Sequence, residues 1–240
     1  MNFKNIIDYK YYKILCGLYF IILLILFNTN ILYYIFGSNI NKKQIKLFGI
    51  SVLICGLVFC ILLPIIKIKM FNLSVKKKLN KKKLYDLFHN IKINKNIEQI
   101  LHKLNEIIPF LCIFSYIYLC INSNNINAIS YFFIGISFIF IIKSVLSFTT
   151  ILPDSSQKCQ LKLLNGGCNE LLCSGHFSVV FLIYLLVIKY KLVDKNIDNI
   201  LLPLVVLYGF VPILTKNHYT IDILVAVIIV LWINNYIPKK

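Results

Sequence analysis

The sequence predicts an all-α fold: a polytopic transmembrane bundle of six to seven helices with one amphipathic helix at the membrane interface. Three observations predict it. The chain of 240 residues is 59% hydrophobic, and its mean hydropathy is +0.78. Its apolar residues fall in runs of membrane-spanning length, roughly 17–25 residues each. Within each run the apolar character is continuous and not alternating, so the backbone must satisfy its own hydrogen bonds in lipid, which only a helix does.

In chain order the clear runs lie at 12–37, 48–69, 128–148 and 218–237, with shorter ones at 107–122, 174–190 and 200–214. The first continues past Tyr34 with no small-residue cleavage site, so it is read as a retained span and not a signal peptide. Between 69 and 107 lies a lysine-rich stretch in which Leu84, Leu87, Phe88 and Ile91, and then Ile97, Ile100, Leu101 and Leu104, recur at helical spacing. This predicts an amphipathic helix lying on the membrane. No internal repeat is evident.

The formal net charge is +17. The lysines stand between and beside the apolar runs, where they face lipid headgroups; nucleic acid is excluded as a partner and the membrane is expected. All 26 basic residues are Lys, and Asn and Ile are abundant as well, a pattern of AT-rich codon usage that deprives single lysines of weight. Of the eight cysteines, Cys16, Cys55, Cys60, Cys112 and Cys120 lie inside apolar runs and act as small hydrophobes. Cys159, Cys168 and Cys173 share one polar connection, where a disulfide between two of them requires an oxidising lumen. No C-x-x-C pair is present, and no metal site is expected.

Lysines 189, 191, 195, 239 and 240 place their ends of the chain in the cytosol by the positive-inside rule. The helices beginning at CSGH (173–176) and HYTID (218–222) then both start on the exoplasmic side. Counting back through 128–148 and 107–122 puts the lysine-rich stretch on that side too, against the same rule. Precedence goes to the C-terminal half, which starts both motifs on one face.

Those two motifs carry the chemistry. His218 and Asp222 are four residues apart, so on a helix they share a face and the carboxylate can hold the imidazole Nδ1–H while Nε2 points away. An ionisable pair at the start of a membrane helix is costly unless used. Ser174 stands where it can cap the helix that follows, and the free N–H groups of that first turn favour a phosphate or carboxylate. Two histidines at one membrane depth, His176 and His218, can act in line on a phosphorus atom, one attacking and one protonating the leaving oxygen. Such a site needs no metal and no ATP, and the chain has no phosphate-binding G-x-x-x-x-G-K run.

The pairing of SGH with a later H-x-x-x-D resembles the lipid phosphatase and phosphotransferase superfamily, and within it most resembles the sphingomyelin synthases. CNELLCSGH, with Cys168 ahead of His176, is similar to that branch's C-G-D-x-x-x-S-G-H; HYTIDILVA is similar to its H-Y-T-x-D-V-x-x-A. FFIGISFIFIIKSVLSFTTILPDSSQKC resembles the stretch upstream, with Lys143 where the branch has Arg. Asn169 replaces a Gly, Glu170 an Asp, and Phe177 a Thr. The branch's proline-rich motif is absent, YDLFHN (85–90) standing in its place, and one span exceeds the six expected. The phosphatase branch carries an Arg six residues before the second His, where this chain has Pro212.

The pattern of runs divides the chain into three parts: an N-terminal transmembrane hairpin (1–70), a basic amphipathic connector (71–105) and a catalytic transmembrane domain (106–240), and the resemblance covers about residues 107–237. The resemblance implies transfer of phosphocholine, or phosphoethanolamine, from a glycerophospholipid to ceramide, yielding sphingomyelin and diacylglycerol in the Golgi, endoplasmic reticulum or plasma membrane, with the site facing the lumen. His218 polarised by Asp222 attacks; His176 protonates the departing oxygen and then deprotonates ceramide. Glu170, Ser174, Tyr219 and Lys143 are the expected substrate-side residues, with Phe177 a second aromatic beside the headgroup. The partners are ceramide, phosphatidylcholine or phosphatidylethanolamine, diacylglycerol and the membrane, with a homo-oligomer left open. A lipid phosphate phosphatase and a non-catalytic lipid-binding homologue are the rival readings.

Overall fold

The computed structural model describes residues 9–26, 29–36, 40–76, 85–150 and 172–238. Among these the regular structure is entirely helical. Helices α1 (Tyr9–Leu26) and α2 (Thr29–Phe36) precede α3 (Lys42–Leu57), which runs through a π-helical turn, Val58–Leu62, into α4 (Leu63–Lys76). A 3₁₀ turn, Leu87–Asn90, leads to α5 (Lys95–Asn122), α6 (Ile126–Thr149), α7 (Gly175–Lys189), α8 (Lys195–Leu214) and α9 (Thr220–Tyr236). Among the described residues four helices are long and apolar enough to cross a membrane: Lys42–Leu73, Lys95–Asn122, Ile126–Thr149 and Lys195–Leu214; α7 and α9 are shorter apolar helices. Together they make the chain an integral membrane protein.

The lysine-rich stretch differs from expectation. Residues 77–84 lie outside the described residues; Leu87–Asn90 forms a single 3₁₀ turn, and from Lys95 the chain enters α5. The periodic Ile97, Ile100, Leu101 and Leu104 belong to the first turns of α5, which continues past residue 105 without a break. Nothing in this sequence stops it: Asn94 caps the start by accepting from the Asn96 amide, and Pro109 is accommodated within the helix.

Helix α7 is the centre of the bundle. It is apolar on every side, GHFSVVFLIYLLVIK, and packs against α5, α6, α8 and α9, as a helix without a polar face must. Its close contacts use glycine: Phe177 lies against Gly209 of α8, where an added β-carbon would be 3.0 Å from the ring, and Leu182 against Gly135 of α6. The outer faces of α5, α8 and α9 expose Phe110, Phe114, Leu207 and Ile228, which suits lipid and not water. Helix α3 packs on α6.

Three helices end in the same way, and each ending sets a turn. After α5, α7 and α8 the chain takes one residue into the left-handed region, Asn124 (φ 50°), Lys191 (φ 52°) and Lys216 (φ 58°). The following amide bonds back to the carbonyl five residues earlier: Asn125 to Cys120, Leu192 to Val187, Asn217 to Pro212. This is the Schellman closure, normally built on glycine. Lys191 is exposed, so Lys191→Gly should relieve the β-carbon strain and raise stability by about 1 kcal/mol, measured by thermal unfolding in detergent.

Antiparallel connections bring the first turns of α5, α7 and α9 to one end of the bundle. The contacts there are direct: Tyr208 of α8 donates to Asn105 of α5, Asn217 donates to His102 Nδ1 at 3.2 Å, and Leu172 donates to Asp222. CSGH and HYTID therefore begin their helices at a common end, as expected. The lysine-bearing residues just ahead of α5 sit at that same end, as the count of spans required and the charge rule disfavoured.

Candidate active site

The site is assembled around the carboxylate of Asp222, which is fully buried. Asp222 stands in the first turn of α9, at the third helical position, where a carboxylate faces unpaired backbone N–H groups and the positive end of the helix dipole. Its Oδ2 accepts from the Tyr219 amide at 2.9 Å and from His218 Nδ1 at 3.1 Å. Its Oδ1 accepts from the Leu172 amide at 2.8 Å, and its backbone carbonyl accepts from the Ser174 amide at 3.3 Å. One residue thus binds both motifs. Leu172 reaches it from the left-handed region (φ 82°), a strained conformation for a branched side chain.

His218 is not on the helix. It lies one residue ahead of the N-cap Tyr219, so its contact with Asp222 arises because the carboxylate reaches back over the helix start. The rest of His218 is fixed as well. Its amide donates to the Pro212 carbonyl at 3.0 Å, and its own carbonyl accepts from His89 Nε2 at 2.9 Å. With Nδ1–H committed to Asp222, Nε2 is the ring nitrogen left for substrate.

His176 occupies the first turn of α7 and is half-buried. It lies within electrostatic reach of His218, Lys143 and Lys67. Ser174 caps α7 as the sequence predicts, accepting from the Phe177 amide at 3.4 Å, and is itself fully buried. Lys143 Nζ lies 3.4 Å from where a β-carbon on Gly175 would stand, so this lysine of α6 sits against the first turn of α7. The two lysines, both buried, give the end of the bundle a positive potential where an anionic group would meet the two imidazoles. Lys67 comes from α4, and sequence reading passed it over as one lysine among 26.

The other expected residues fall differently. Tyr219 is 3% exposed, and its ring stacks on that of His89 with centroids 5.1 Å apart. Phe177 is buried between α7 and α8, stacked on Phe181 and pressed against Gly209, which makes it a packing residue. Glu170, Cys159 and Cys168 lie outside the described residues.

Two residues the sequence did not single out adjoin the site. Asp86 Oδ2 accepts from the Thr220 amide at 2.6 Å and Oδ1 from the Thr220 hydroxyl at 3.0 Å, with the Phe88 amide on Oδ1 at 3.0 Å. Partial burial raises the Asp86 carboxyl, but these hydrogen bonds outweigh it, with His89 adding to them, and hold it below the usual carboxylate range. A depressed pKa means that the stabilising contribution is complete above the unfolded value and lost as pH falls through the folded one. The contact with Thr220 is therefore expected to persist at neutral and mildly acidic pH.

Residues 167–237 match the family model described as PAP2 superfamily C-terminal. The match spans Asp222, both histidines of the site and helices α7 to α9, and supports a lipid phosphatase or phosphotransferase function for this end of the chain. No curated protein and no solved structure matches the chain.

Proposed function

We propose that the protein is a ceramide phosphotransferase of sphingomyelin synthase type, moving phosphocholine or phosphoethanolamine from a glycerophospholipid to ceramide on the exoplasmic side of its membrane. The observation that carries this reading is Asp222, whose carboxylate holds His218 Nδ1 and the Leu172 amide and whose main-chain carbonyl accepts from Ser174 of CSGH.

The reaction proceeds in two halves. In the first, His218 Nε2 attacks phosphorus; a P–N bond forms, the P–O bond to glycerol breaks, and His176, which takes up a proton as the anionic phosphodiester offsets the neighbouring lysines, gives that proton to the departing diacylglycerol oxygen. Asp222 stabilises the positive charge that develops on His218. In the second half, neutral His176 takes the proton of the ceramide primary hydroxyl, whose oxygen attacks phosphorus as the P–N bond breaks. Sphingomyelin, or its ethanolamine analogue, leaves. Lys143 and Lys67 counter the phosphate's negative charge, Ser174 orients the α7 amides, and Glu170 tunes His176.

With water in place of ceramide the same first half gives a lipid phosphate phosphatase, and the PAP2 match accommodates both outcomes. Two features favour transfer: the chain contains no Arg, and Pro212 occupies the position where the phosphatase pattern carries one. The test is reconstitution with fluorescent ceramide and either phosphatidylcholine or phosphatidylethanolamine, products being resolved by thin-layer chromatography beside His218→Ala. A fluorescent phosphosphingolipid from one donor, absent in the variant, is expected. Inorganic phosphate from phosphatidic acid without ceramide product would select the phosphatase, and no turnover of any lipid would select a non-catalytic homologue.

A further inference from the structure

The segment 85–90 comes from far upstream in the chain, yet among the described residues its side chains Asp86 and His89 make their long-range hydrogen bonds to HYTID. Asp86 accepts from both the amide and the hydroxyl of Thr220, and His89 donates from Nε2 to the His218 carbonyl at 2.9 Å. The His89 ring covers Tyr219. Phe88 meets Phe210 of α8 edge-on, centroids 6.0 Å apart, anchoring the segment to the helix whose end supplies the Pro212 carbonyl. Three consecutive residues, His218 to Thr220, are thus gripped from outside their own helix.

The Thr220 amide, at the first helical position of α9, is one of the four that a helix start leaves unpaired. Asp86 fills that place with a carboxylate, the group best suited to it. His218 needs a fixed backbone because Asp222 determines only the ring's Nδ1 side; the direction of Nε2 also depends on where the His218 main chain lies, and an in-line attack tolerates errors of well under 1 Å.

We infer that the 85–90 segment is a positioning clasp: Asp86 and His89 act through the backbone of HYTID to aim His218 Nε2, and neither touches substrate. This rests on the two-histidine reading above. It assigns a catalytic consequence to a segment that the sequence presents as a lysine-flanked surface helix.

The test uses the full-length chain in lipid vesicles with Asp86→Asn, His89→Phe and His89→Gln, measuring kcat, KM for the lipid donor, and amide hydrogen exchange of the peptide covering 216–222. Asp86→Asn removes the negative charge and one of the two acceptor oxygens, so the Thr220 amide, the Thr220 hydroxyl and the Phe88 amide compete for a single acceptor. His89→Phe keeps a ring over Tyr219 but removes the donor, and His89→Gln restores a donor without the ring. The clasp predicts faster exchange in the Asn and Phe variants, kcat lowered about 10- to 100-fold as expected for misaimed groups, KM within about twofold, and partial recovery of kcat in Gln. Faster exchange with unchanged kcat would overturn the positioning role. So would unchanged exchange, which removes the clasp itself, or a loss carried by KM, which makes these residues substrate contacts. A wild-type chain without phosphoryl turnover overturns the functional reading and the catalytic half of the clasp together, whereas turnover in wild type with insensitive variants overturns the clasp alone.

Discussion

On the proposed two-histidine mechanism, replacing His218 with alanine is expected to abolish phosphoryl transfer, with a fall in turnover of roughly 10⁴-fold or more, because the group assigned to form the bond to phosphorus is gone. The binding of lipid is expected to survive, since the bundle's apolar outer faces and the buried lysines at 67 and 143 are untouched. His176→Ala is expected to lose a comparable factor: its role is proton transfer, and the leaving glyceryl alkoxide is a poor one without it. The double variant should then be little worse than either single one, as holds for residues that act as a unit. The measurement is initial rate of headgroup transfer in vesicles at matched protein content, and an activity within tenfold of wild type in either single variant would remove that histidine from the mechanism.

Asp222 has the second-largest expected effect, and it acts on folding as well as rate. Three donors converge on a carboxylate with no solvent exposure. Asp222→Ala leaves the Leu172 and Tyr219 amides and His218 Nδ1–H unpaired in a dry place, which costs about 3 kcal/mol or more, and it leaves CSGH tied to HYTID only by the Ser174 amide on the main-chain carbonyl of residue 222. Low expression and a lowered melting temperature are expected. Asp222→Asn separates the two roles. The amide keeps an acceptor oxygen for one or two of the donors, so the protein folds, but its NH₂ cannot accept from His218, and the ring loses both its tautomer and its charge partner. Turnover should fall by about 10³- to 10⁴-fold. A well-folded Asn variant with near-normal rate would show that the carboxylate is a structural bridge alone.

The sequence carries this site unevenly, and the reasons are physical. The membrane helices are legible because lipid enforces continuous apolar runs, and Ser174 as a cap is legible because the cap residue adjoins the helix it caps. His218 and Asp222 are legible as a pair for a reason that differs from the one observed. Helical spacing suggests a shared face, whereas His218 precedes the helix and Asp222 reaches back to it. What was not legible is long-range. Asp86 and His89 lie 134 and 129 positions from their partners, and their local pattern of Leu87, Phe88 and Ile91 has the period of a surface helix. Periodicity reports which face is apolar but not what covers it, and here HYTID and Phe210 do. Lys67 was hidden by composition, since in a chain with 26 lysines only burial separates a functional one from the background. Phe177, placed beside the headgroup by its neighbour His176, points instead into the α7–α8 contact, because successive residues of a helix face different ways.

The central claim is that His218 becomes covalently phosphorylated by the lipid headgroup. It is tested most directly by incubating the reconstituted chain with donor lipid and no ceramide, quenching in alkali, where a phosphoramidate survives, and locating the added mass by peptide fragmentation. The mechanism predicts a headgroup phosphate on His218, removed when ceramide is supplied and absent in Asp222→Asn. Turnover that proceeds with no adduct on His218, or with the adduct on His176, would contradict it.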